Sequence, residues 1–133
     1  MIVAVDTNIF LDILRPNPAF VDTSLALLER TSAEGDLVVC GVVYAELAAN
    51  FSRQADLDVF LSSVSTRVDS LDPISRYRAG RAWRAYRAAG GKRDRILPDF
   101  LIGAHASEQA SSLLSRDRGF FGSYFPHLTV LDR

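Results

Sequence analysis

Two short apolar runs constrain the fold more than any other feature of the sequence. Residues Ile2–Val5 and 37–40 contain no charged side chain and are rich in β-branched residues. Strands of this kind are buried on both faces, which is typical of a parallel sheet covered by helices. Helical spacing of apolar residues dominates the intervening chain. We therefore predict an α/β fold: a three-layer α/β/α sandwich with a central, mostly parallel sheet.

The remaining elements follow from helix caps and helix breakers. Three further strands are predicted at 67–71, at 113–114 and at 128–131. Helices are predicted at 9–14, 19–34, 41–51, 56–64, 73–89 and 98–106. Asp72 and Pro73 form a good helix start, because Asp can cap the first turn and Pro fits its first position. The helix over 98–106 is apolar on nearly every face, which predicts that it is buried.

Length and composition limit the class of protein. The 133 residues are 48% apolar and 23% charged, so we expect one folded domain over 1–133 and exclude a disordered chain. Cys40 is the single cysteine, which excludes an intramolecular disulfide and fits a reducing compartment. The sequence has neither a basic, apolar leader nor an apolar run long enough to span a bilayer. We therefore expect a soluble, cytoplasmic protein without membrane contact.

Four acidic residues stand where a parallel sheet would place a ligand site. Asp6 ends the first strand, and Asp117 follows the strand at 113–114. Asp99 begins the most apolar helix, and Glu46 lies in the helix after the second strand, on a face that is not obviously exposed to water. Ligand crevices in open parallel sheets lie beyond the carboxyl ends of the strands. The four side chains are therefore candidates for one site.

Clustered carboxylates repel each other, and a divalent cation removes that conflict. Oxygen ligands suit Mg²⁺ or Mn²⁺, which can activate water and neutralise charge on a phosphate. Each acid alone also has an ordinary explanation. Asp6 and Asp99 could be helix-start residues, and Asp117 could belong to a turn. The hypothesis of a metal site depends on the set of four.

Four sequence segments carry a resemblance to a known family. They are IVAVDTNIFLDIL, VVYAEL, RILPDFLIGAHA and LLSRDRGFF, and they are spread in this order along nearly the whole chain. With them the sequence resembles the PIN domain family of metal-dependent ribonucleases, and most closely the toxin ribonucleases of VapBC-type toxin–antitoxin pairs. The resemblance implies a parallel sheet between helices and Mg²⁺- or Mn²⁺-dependent endonucleolytic cleavage of RNA. It also implies a VapB-type antitoxin partner and a homodimer.

The resemblance assigns roles residue by residue. The catalytic, metal-binding acids would be Asp6, Glu46, Asp99 and Asp117. Asp117 would ligate the metal directly or act through water. Thr7 and Asn8 would shape the loop after the first strand, and Ser115 would support the site.

A basic segment offers a surface for the substrate. The formal charge of the chain is −1, but residues 70–95 carry +6 and the remainder carries −7. Arg78, Arg81, Arg84 and Arg87 step by three along one side of the predicted helix, and we expect no nearby acid to pair with them. The fixed fork of arginine suits phosphate contacts. We predict RNA-binding residues at Arg84, Arg87, Lys92, Arg93 and Arg95. The alternative for this charge run is a solvated helix face. Trp83 and Tyr86 are predicted to lie in the core rather than to stack on bases.

Other candidate groups receive structural roles. His105 and His127 lack a metal-ligand partner at suitable spacing, and Cys40 has no basic neighbour that would activate a thiolate. An aspartyl-nucleophile phosphatase would require a second Asp two residues after Asp6, where Asn8 stands. Two alternatives stay open: an inactive PIN-like interaction module, and a PIN nuclease of RNA processing without an antitoxin. Transfer, ribosomal and messenger RNA are all open as targets.

Overall fold

The computed structural model describes residues 1–92 and 95–132, which form five strands and seven helices. The strands are β1 Ile2–Val5, β2 Asp36–Cys40, β3 Thr66–Asp69, β4 Ser112–Leu114 and β5 Thr129–Leu131. The helices are α1 Thr7–Leu14, α2 Val21–Glu34, α3 Gly41–Ala48, α4 Gln54–Ser63, α5 Pro73–Ala88, α6 Leu97–Gln109 and α7 Arg118–Tyr124.

The five strands form one parallel sheet in the order β3-β2-β1-β4-β5. Strand β1 is central, where Val3 pairs with Leu37 on one side and with Ser112 on the other. Val3 and Leu37 are buried, as expected for strands covered on both faces. The predicted fold class is confirmed, and the described sheet is parallel throughout rather than mostly so.

The strand order places the helices on two faces of the sheet. The chain moves outward from β1 to β3, returns to β4 beside β1, and continues outward to β5. Because crossover connections between parallel strands are right-handed, α1–α4 cover one face and α5–α7 the other. The second layer contains a cluster of aromatic rings, with Phe100 packed edge-on against Phe120 and Tyr124. Helix α6 corresponds to the apolar helix predicted over 98–106. It supplies Phe100 and is buried, as predicted.

Local signals explain the ends of α5. The side chain of Asp72 accepts a hydrogen bond from the backbone N–H of Ser75 at 2.7 Å, with Pro73 at the first helical position. After the helix, Gly90 adopts φ +80°, a left-handed conformation that favours glycine. Both ends of the predicted helix are thus confirmed to within a residue or two.

Two predicted helices have other ends in the structure, and one helix was not predicted. Helix α1 begins at Thr7, two residues earlier than predicted, because Asp6 caps it. Helix α3 ends at Ala48, so Phe51 lies outside it and packs against Phe60 with ring centroids 5.8 Å apart. Helix α7 was not predicted, since its seven residues are too few for a clear periodicity.

No helix in the described ranges is long and apolar enough to cross a bilayer.

The parallel strands all point their carboxyl ends to the same edge of the sheet. That edge holds Asp6 after β1 and Ser115 after β4, and the candidate site lies there.

Candidate functional site

Asp6 stands at the centre of the site, between β1 and α1. Its backbone N–H donates to the carbonyl of Leu114 at 2.9 Å, which ties it to β4. Its side-chain Oδ1 accepts from the backbone N–H of Thr7 at 2.8 Å, so Asp6 is also the N-cap of α1. The residue is 8% exposed. The capping role considered from sequence is therefore real, and it leaves the second carboxylate oxygen for other partners.

Ser115 joins Asp6 to Asp117. The fully buried hydroxyl of Ser115 donates to Asp6 Oδ2 at 2.7 Å and accepts from the backbone N–H of Asp117 at 2.9 Å. Ser115 follows β4, the strand beside β1, so the sheet register makes this contact across 109 residues of sequence. The structure therefore brings the backbone of Asp117 to Asp6 through the residue predicted to support the site, while the Asp117 carboxylate pairs with Arg95.

Glu46 approaches from α3. Its Oε1 accepts a hydrogen bond from the hydroxyl of Thr7 at 2.7 Å. Thr7 therefore contacts Asp6 through its backbone and Glu46 through its side chain, which agrees with its predicted place in the loop. The prediction that Glu46 avoids a water-exposed face is wrong, because the residue is exposed. Helix α3 buries Val43 and Leu47 instead, and Glu46 lies on its open side.

Asp99 approaches from the first turn of α6. Its Oδ2 accepts a hydrogen bond from the backbone N–H of Ile96 at 3.1 Å. Asp99 therefore pairs with a backbone donor at the start of the helix, which is one of the two roles expected from the sequence. Asp99 also lies close enough to Asp6 for its negative charge to act there. The two functions are compatible, since one carboxylate oxygen makes the helix-start bond.

The surroundings of Asp6 disfavour the ionised form of its carboxyl group. Burial raises the pKa of Asp6 from 3.8 to about 6, because desolvation disfavours the ionised carboxyl. The hydrogen bonds from Ser115 and Thr7 oppose this rise, whereas the negative charges of Glu46 and Asp99 add to it. Three carboxyl groups from three separate elements thus act on one another at the sheet edge.

The donor set suits a hydrated, oxygen-preferring cation. Within 1–92 and 95–132, no three His, Cys, Asp or Glu side chains are arranged as a ready metal cage. Mg²⁺ commonly retains several waters and takes only one or two carboxylates from a protein. The amide Oδ1 of Asn8 is buried, and no described group donates a hydrogen bond to it. Carboxylate oxygens fit Mg²⁺ or Mn²⁺ better than a softer metal.

The basic segment reaches the acids through Arg95. Its guanidinium lies 2.5 Å from Asp117 Oδ2, and its Cζ lies 4.4 Å from the centre of the Phe120 ring. A groove of about 510 Å³ next to it is lined by basic, aromatic and small side chains. The lining residues are Trp83, Tyr86, Arg87, Gly91, Lys92, Arg95 and Ile96. Three of the predicted RNA-binding residues therefore line one groove, and one of them, Arg95, also contacts Asp117.

The other basic residues divide into three cases. Arg84 is exposed on α5 and does not line that groove. Arg78 pairs with Glu108 at 2.9 Å, which corrects the expectation that these arginines have no acidic partner. The partner comes from α6, packed beside α5, and local sequence could not show it. Arg93 lies outside the described residues.

Aromatic side chains of α5 have mainly packing roles. Tyr86 is buried, packs against Phe100 and donates its hydroxyl hydrogen bond to the carbonyl of Lys92. Trp83 is partly buried, and the Arg87 guanidinium lies 5.0 Å from its ring centre. Tyr86 thus holds the loop that carries Lys92, in agreement with its predicted place in the core.

The remaining candidate groups lie apart from the acids. His105 is buried, with Nε2 2.9 Å from Asp69 Oδ2, and links α6 to the end of β3. His127 is exposed in the loop before β5. Cys40 is buried, and desolvation raises the pKa of its thiol. A raised thiol pKa disfavours the thiolate, which agrees with the prediction that Cys40 is not a nucleophile.

Sequence reasoning missed one buried polar group beside the site. Asp12, on α1, is 3% exposed and forms two hydrogen bonds with Arg116, the residue next to Asp117. The hydroxyl of Ser24 on α2 donates to the same carboxylate at 2.7 Å. An acidic residue inside the apolar run of 9–14 was the available signal, because a charge buried there requires a partner.

Comparisons with known proteins were made for sequence and for fold. A family model described as PIN domain matches residues 3–123. A sequence search of curated proteins gives no match. Among solved structures, a chain of VapBC-1 from nontypeable Haemophilus influenzae has 20% identity and a TM-score of 0.74, covering 99% of this chain and 98% of that chain.

Two further complexes contain similar chains. A chain of VapBC2 from Rickettsia felis, bound to a DNA fragment from their promoter, has 22% identity and a TM-score of 0.72, covering 98% of both chains. A chain of FitAcB from Neisseria gonorrhoeae has 20% identity and a TM-score of 0.68, covering 98% of this chain and 96% of that chain. At these identities the structural likeness demonstrates a shared fold over the full described length.

Proposed function

Because the chain belongs to the PIN domain family, we propose that it is a Mg²⁺- or Mn²⁺-dependent endoribonuclease that hydrolyses RNA phosphodiester bonds. Membership of this family supports a nuclease. The observation that carries the metal-dependent reading is a group of carboxyls at one edge of the sheet: Asp6 is buried there, Thr7 bonds to both Asp6 and Glu46, and the charge of Asp99 acts on Asp6. Such a group gains stability from a nearby cation.

Four side chains would hold the cation, and each comes from a different element. They are Asp6, Glu46, Asp99 and Asp117. A bound Mg²⁺ or Mn²⁺ would supply an activated water and neutralise charge on the phosphate. Thr7 orients Glu46 through its hydroxyl, and Ser115 orients Asp6 and the backbone of Asp117. Arg95 contacts the Asp117 carboxylate. Asp117 would ligate the cation either directly or through a water molecule.

The substrate would follow the basic groove to the acids. Arg87, Lys92 and Arg95 line this groove, and Arg84 is exposed on the same helix as Arg87. Guanidinium and ammonium groups contact phosphates and orient a nucleic acid without reading its sequence. Within residues 1–92 and 95–132, Arg84 and Arg87 form no ion pair with a carboxylate, which leaves their charge for the backbone of RNA.

A partner that controls the nuclease is the second part of the proposal. The similar chains described above come from VapBC and FitAcB complexes, which pair two proteins, and one VapBC complex is bound to promoter DNA. We propose that this chain is likewise the toxin of a type II toxin–antitoxin pair, acts in the cytoplasm and forms a homodimer. The small antitoxin would block the acidic edge.

The test is RNA cleavage by the purified chain with Mg²⁺ or Mn²⁺, compared with Asp99→Asn and with excess EDTA. Both changes are expected to abolish cleavage, because each removes part of the cation site. Asp58→Asn is the matched control, since Asp58 is exposed on α4 and bonds to Tyr44. Full cleavage by Asp99→Asn, or in EDTA, contradicts the mechanism. Wild-type protein that binds RNA and metal without cleaving would be an interaction module instead.

Expression in cells tests the toxin assignment separately. Induction is expected to arrest growth, and Asp6→Asn is expected to relieve the arrest while the protein remains folded. Mapping the new RNA ends after induction would identify the target RNA. Cleavage in vitro without growth arrest would favour a nuclease of RNA processing that has no antitoxin.

A further inference from the structure

Asp12 and Arg116 form a partly buried ion pair next to the acidic edge, in which only Asp12 is fully buried. Arg116 Nε donates to Asp12 Oδ2 at 2.8 Å, and Arg116 Nη2 donates to Oδ1 at 3.0 Å. Asp12 is 3% exposed, and Ser24 supplies a third hydrogen bond to it. The Arg116 guanidinium also stacks over the Phe20 ring, with Cζ 3.9 Å from the ring centre. The guanidinium is therefore held in one orientation by two planar partners.

The pair attaches the segment 115–117 to α1 at a second point. The first point is Ser115, which donates to Asp6 at the N-terminus of the helix. The second is Arg116, which donates to Asp12. Asp12 lies six residues after Asp6, about 9 Å further along the helix axis. Two consecutive residues thus contact the same helix at widely separated places. A segment held at two such points can neither slide along α1 nor rotate away from it.

This attachment determines where Asp117 stands relative to Asp6. The Asp117 backbone N–H donates to Ser115 Oγ, and the same hydroxyl donates to Asp6. Any displacement of the segment therefore moves the backbone of Asp117 and the hydrogen bond to Asp6 Oδ2 together. A buried ion pair is a weak source of stability, because desolvation offsets most of its attraction. Its geometric effect on the two acids is the larger consequence.

We propose that Arg116 and Asp12 are positioning residues that hold Asp117 and Asp6 at the separation required for a divalent cation. This role rests on the proposed function, because it concerns the same cation. The residues touch neither substrate nor cation in this role. They act through the backbone of the segment 115–117 and through the hydroxyl of Ser115.

Arg116→Gln tests the role, and Arg118→Gln is the matched control. Both arginines flank Asp117, but Arg118 points the other way, to the carbonyl of Val130 and to Asp132 Oδ1 at 2.9 Å. The readout is Mn²⁺ affinity measured by electron paramagnetic resonance well below the unfolding temperature. Arg116→Gln is expected to weaken Mn²⁺ binding by about 10-fold or more, as is usual when residues that orient metal ligands are lost. Arg118→Gln is expected to change it less than about 2-fold.

Hydrogen exchange of the Asp117 backbone N–H provides a readout that needs no metal. Exchange is expected to accelerate in Arg116→Gln and to stay near the wild-type rate in Arg118→Gln, because only the first change frees the segment. A purely structural ion pair would lower the unfolding midpoint and leave Mn²⁺ affinity unchanged in the folded protein. If Arg116→Gln fails to fold, Arg116→Lys replaces it, since lysine keeps the charge but not the two parallel bonds.

The possible results distinguish the positioning role of Arg116 and Asp12 from the proposed metal-dependent function. Mn²⁺ binding by the wild type that Arg116→Gln or Arg116→Lys leaves unchanged overturns the positioning role alone. A wild-type protein that binds no Mn²⁺ overturns the proposed metal-dependent function, and this role with it. Weakened binding in the Arg116 variants, with Arg118→Gln unaffected, supports the role.

Discussion

Replacing Asp6 by Asn should stabilise the metal-free protein, although it removes a residue of the site. The pKa of Asp6 rises from 3.8 to about 6 on folding. Each pKa unit corresponds to about 1.4 kcal/mol, so ionised Asp6 disfavours the folded state by about 3 kcal/mol. Asparagine keeps the bond from the Thr7 backbone but turns an N–H donor toward Ser115, which costs about 1 kcal/mol. The expected net gain is about 1–2 kcal/mol, or roughly 4–8 °C in Tm.

The sign of the pH dependence follows from the raised pKa of Asp6. The folded protein holds this proton more tightly than the unfolded chain, so the penalty is absent below pH 3.8 and complete above about pH 6. The advantage of Asp6→Asn should therefore be largest at pH 7.5 and should fall away toward pH 4. Urea unfolding in EDTA at both pH values measures it. Equal or lower stability of Asp6→Asn at pH 7.5 would refute the reasoning.

Asp12→Asn is the matched control, because Asp12 is also a buried aspartate on α1. Its carboxylate accepts two hydrogen bonds from Arg116 and one from Ser24. Removing one member of a buried pair leaves the other charge without its partner, which costs about 3–5 kcal/mol for fully buried pairs. Arg116 is 31% exposed, so a loss of about 1–3 kcal/mol is expected. Two buried aspartates should thus respond to the same substitution with opposite signs.

Three further predictions concern binding and packing, and the last of them has a control variant. Charge reversal at Arg84 and Arg87 should weaken RNA binding and lower the slope of log affinity against log salt by about 1–2, whereas an unchanged slope would exclude the basic surface. Arg95→Gln should raise Mn²⁺ affinity several-fold in a spectroscopic titration, because it removes a cation that contacts Asp117; equal or weaker binding would contradict this. Gly103→Ala should destabilise the protein by about 1–3 kcal/mol, since a Cβ would stand 2.3 Å from the Phe125 ring. Gly80→Ala meets open space within a helix and should stabilise by about 0.5–1 kcal/mol in the same urea assay.

Local signals predicted the elements of the fold better than their boundaries. Apolar β-branched runs identified β1 and β2, and the pairing of Asp72 with Pro73 identified the start of α5. These signals act between neighbours in sequence, so they can be recognised without tertiary context. The beginning of α1 was displaced because Asp6 caps it from the end of a strand. Helix α7 escaped prediction because its seven residues form less than two full turns.

The sequence indicated candidate residues for the site, but not the contacts that these residues make. The carboxyl-end rule of parallel sheets singled out Asp6 and Asp117, and the structure joins them through Ser115. The exposure of Glu46 was not predictable, because apolar neighbours in sequence do not determine which side of a helix faces solvent. The charge separation between residues 70–95 and the rest of the chain predicted a basic surface, but not the contact of Arg95 with an acid.

By itself, the amino-acid sequence determined the class of fold, the strand ends that carry acids and the family resemblance. All three depend on patterns among residues that are close in sequence. Only the tertiary structure decided the strand order and the partners of the buried charges. Arg116 and Asp12 are separated by 104 residues, and Arg78 meets Glu108 only because α5 packs on α6. The physical reason is that a charge is stabilised by whichever opposite charge burial brings within a few ångströms, and chain folding alone sets that distance.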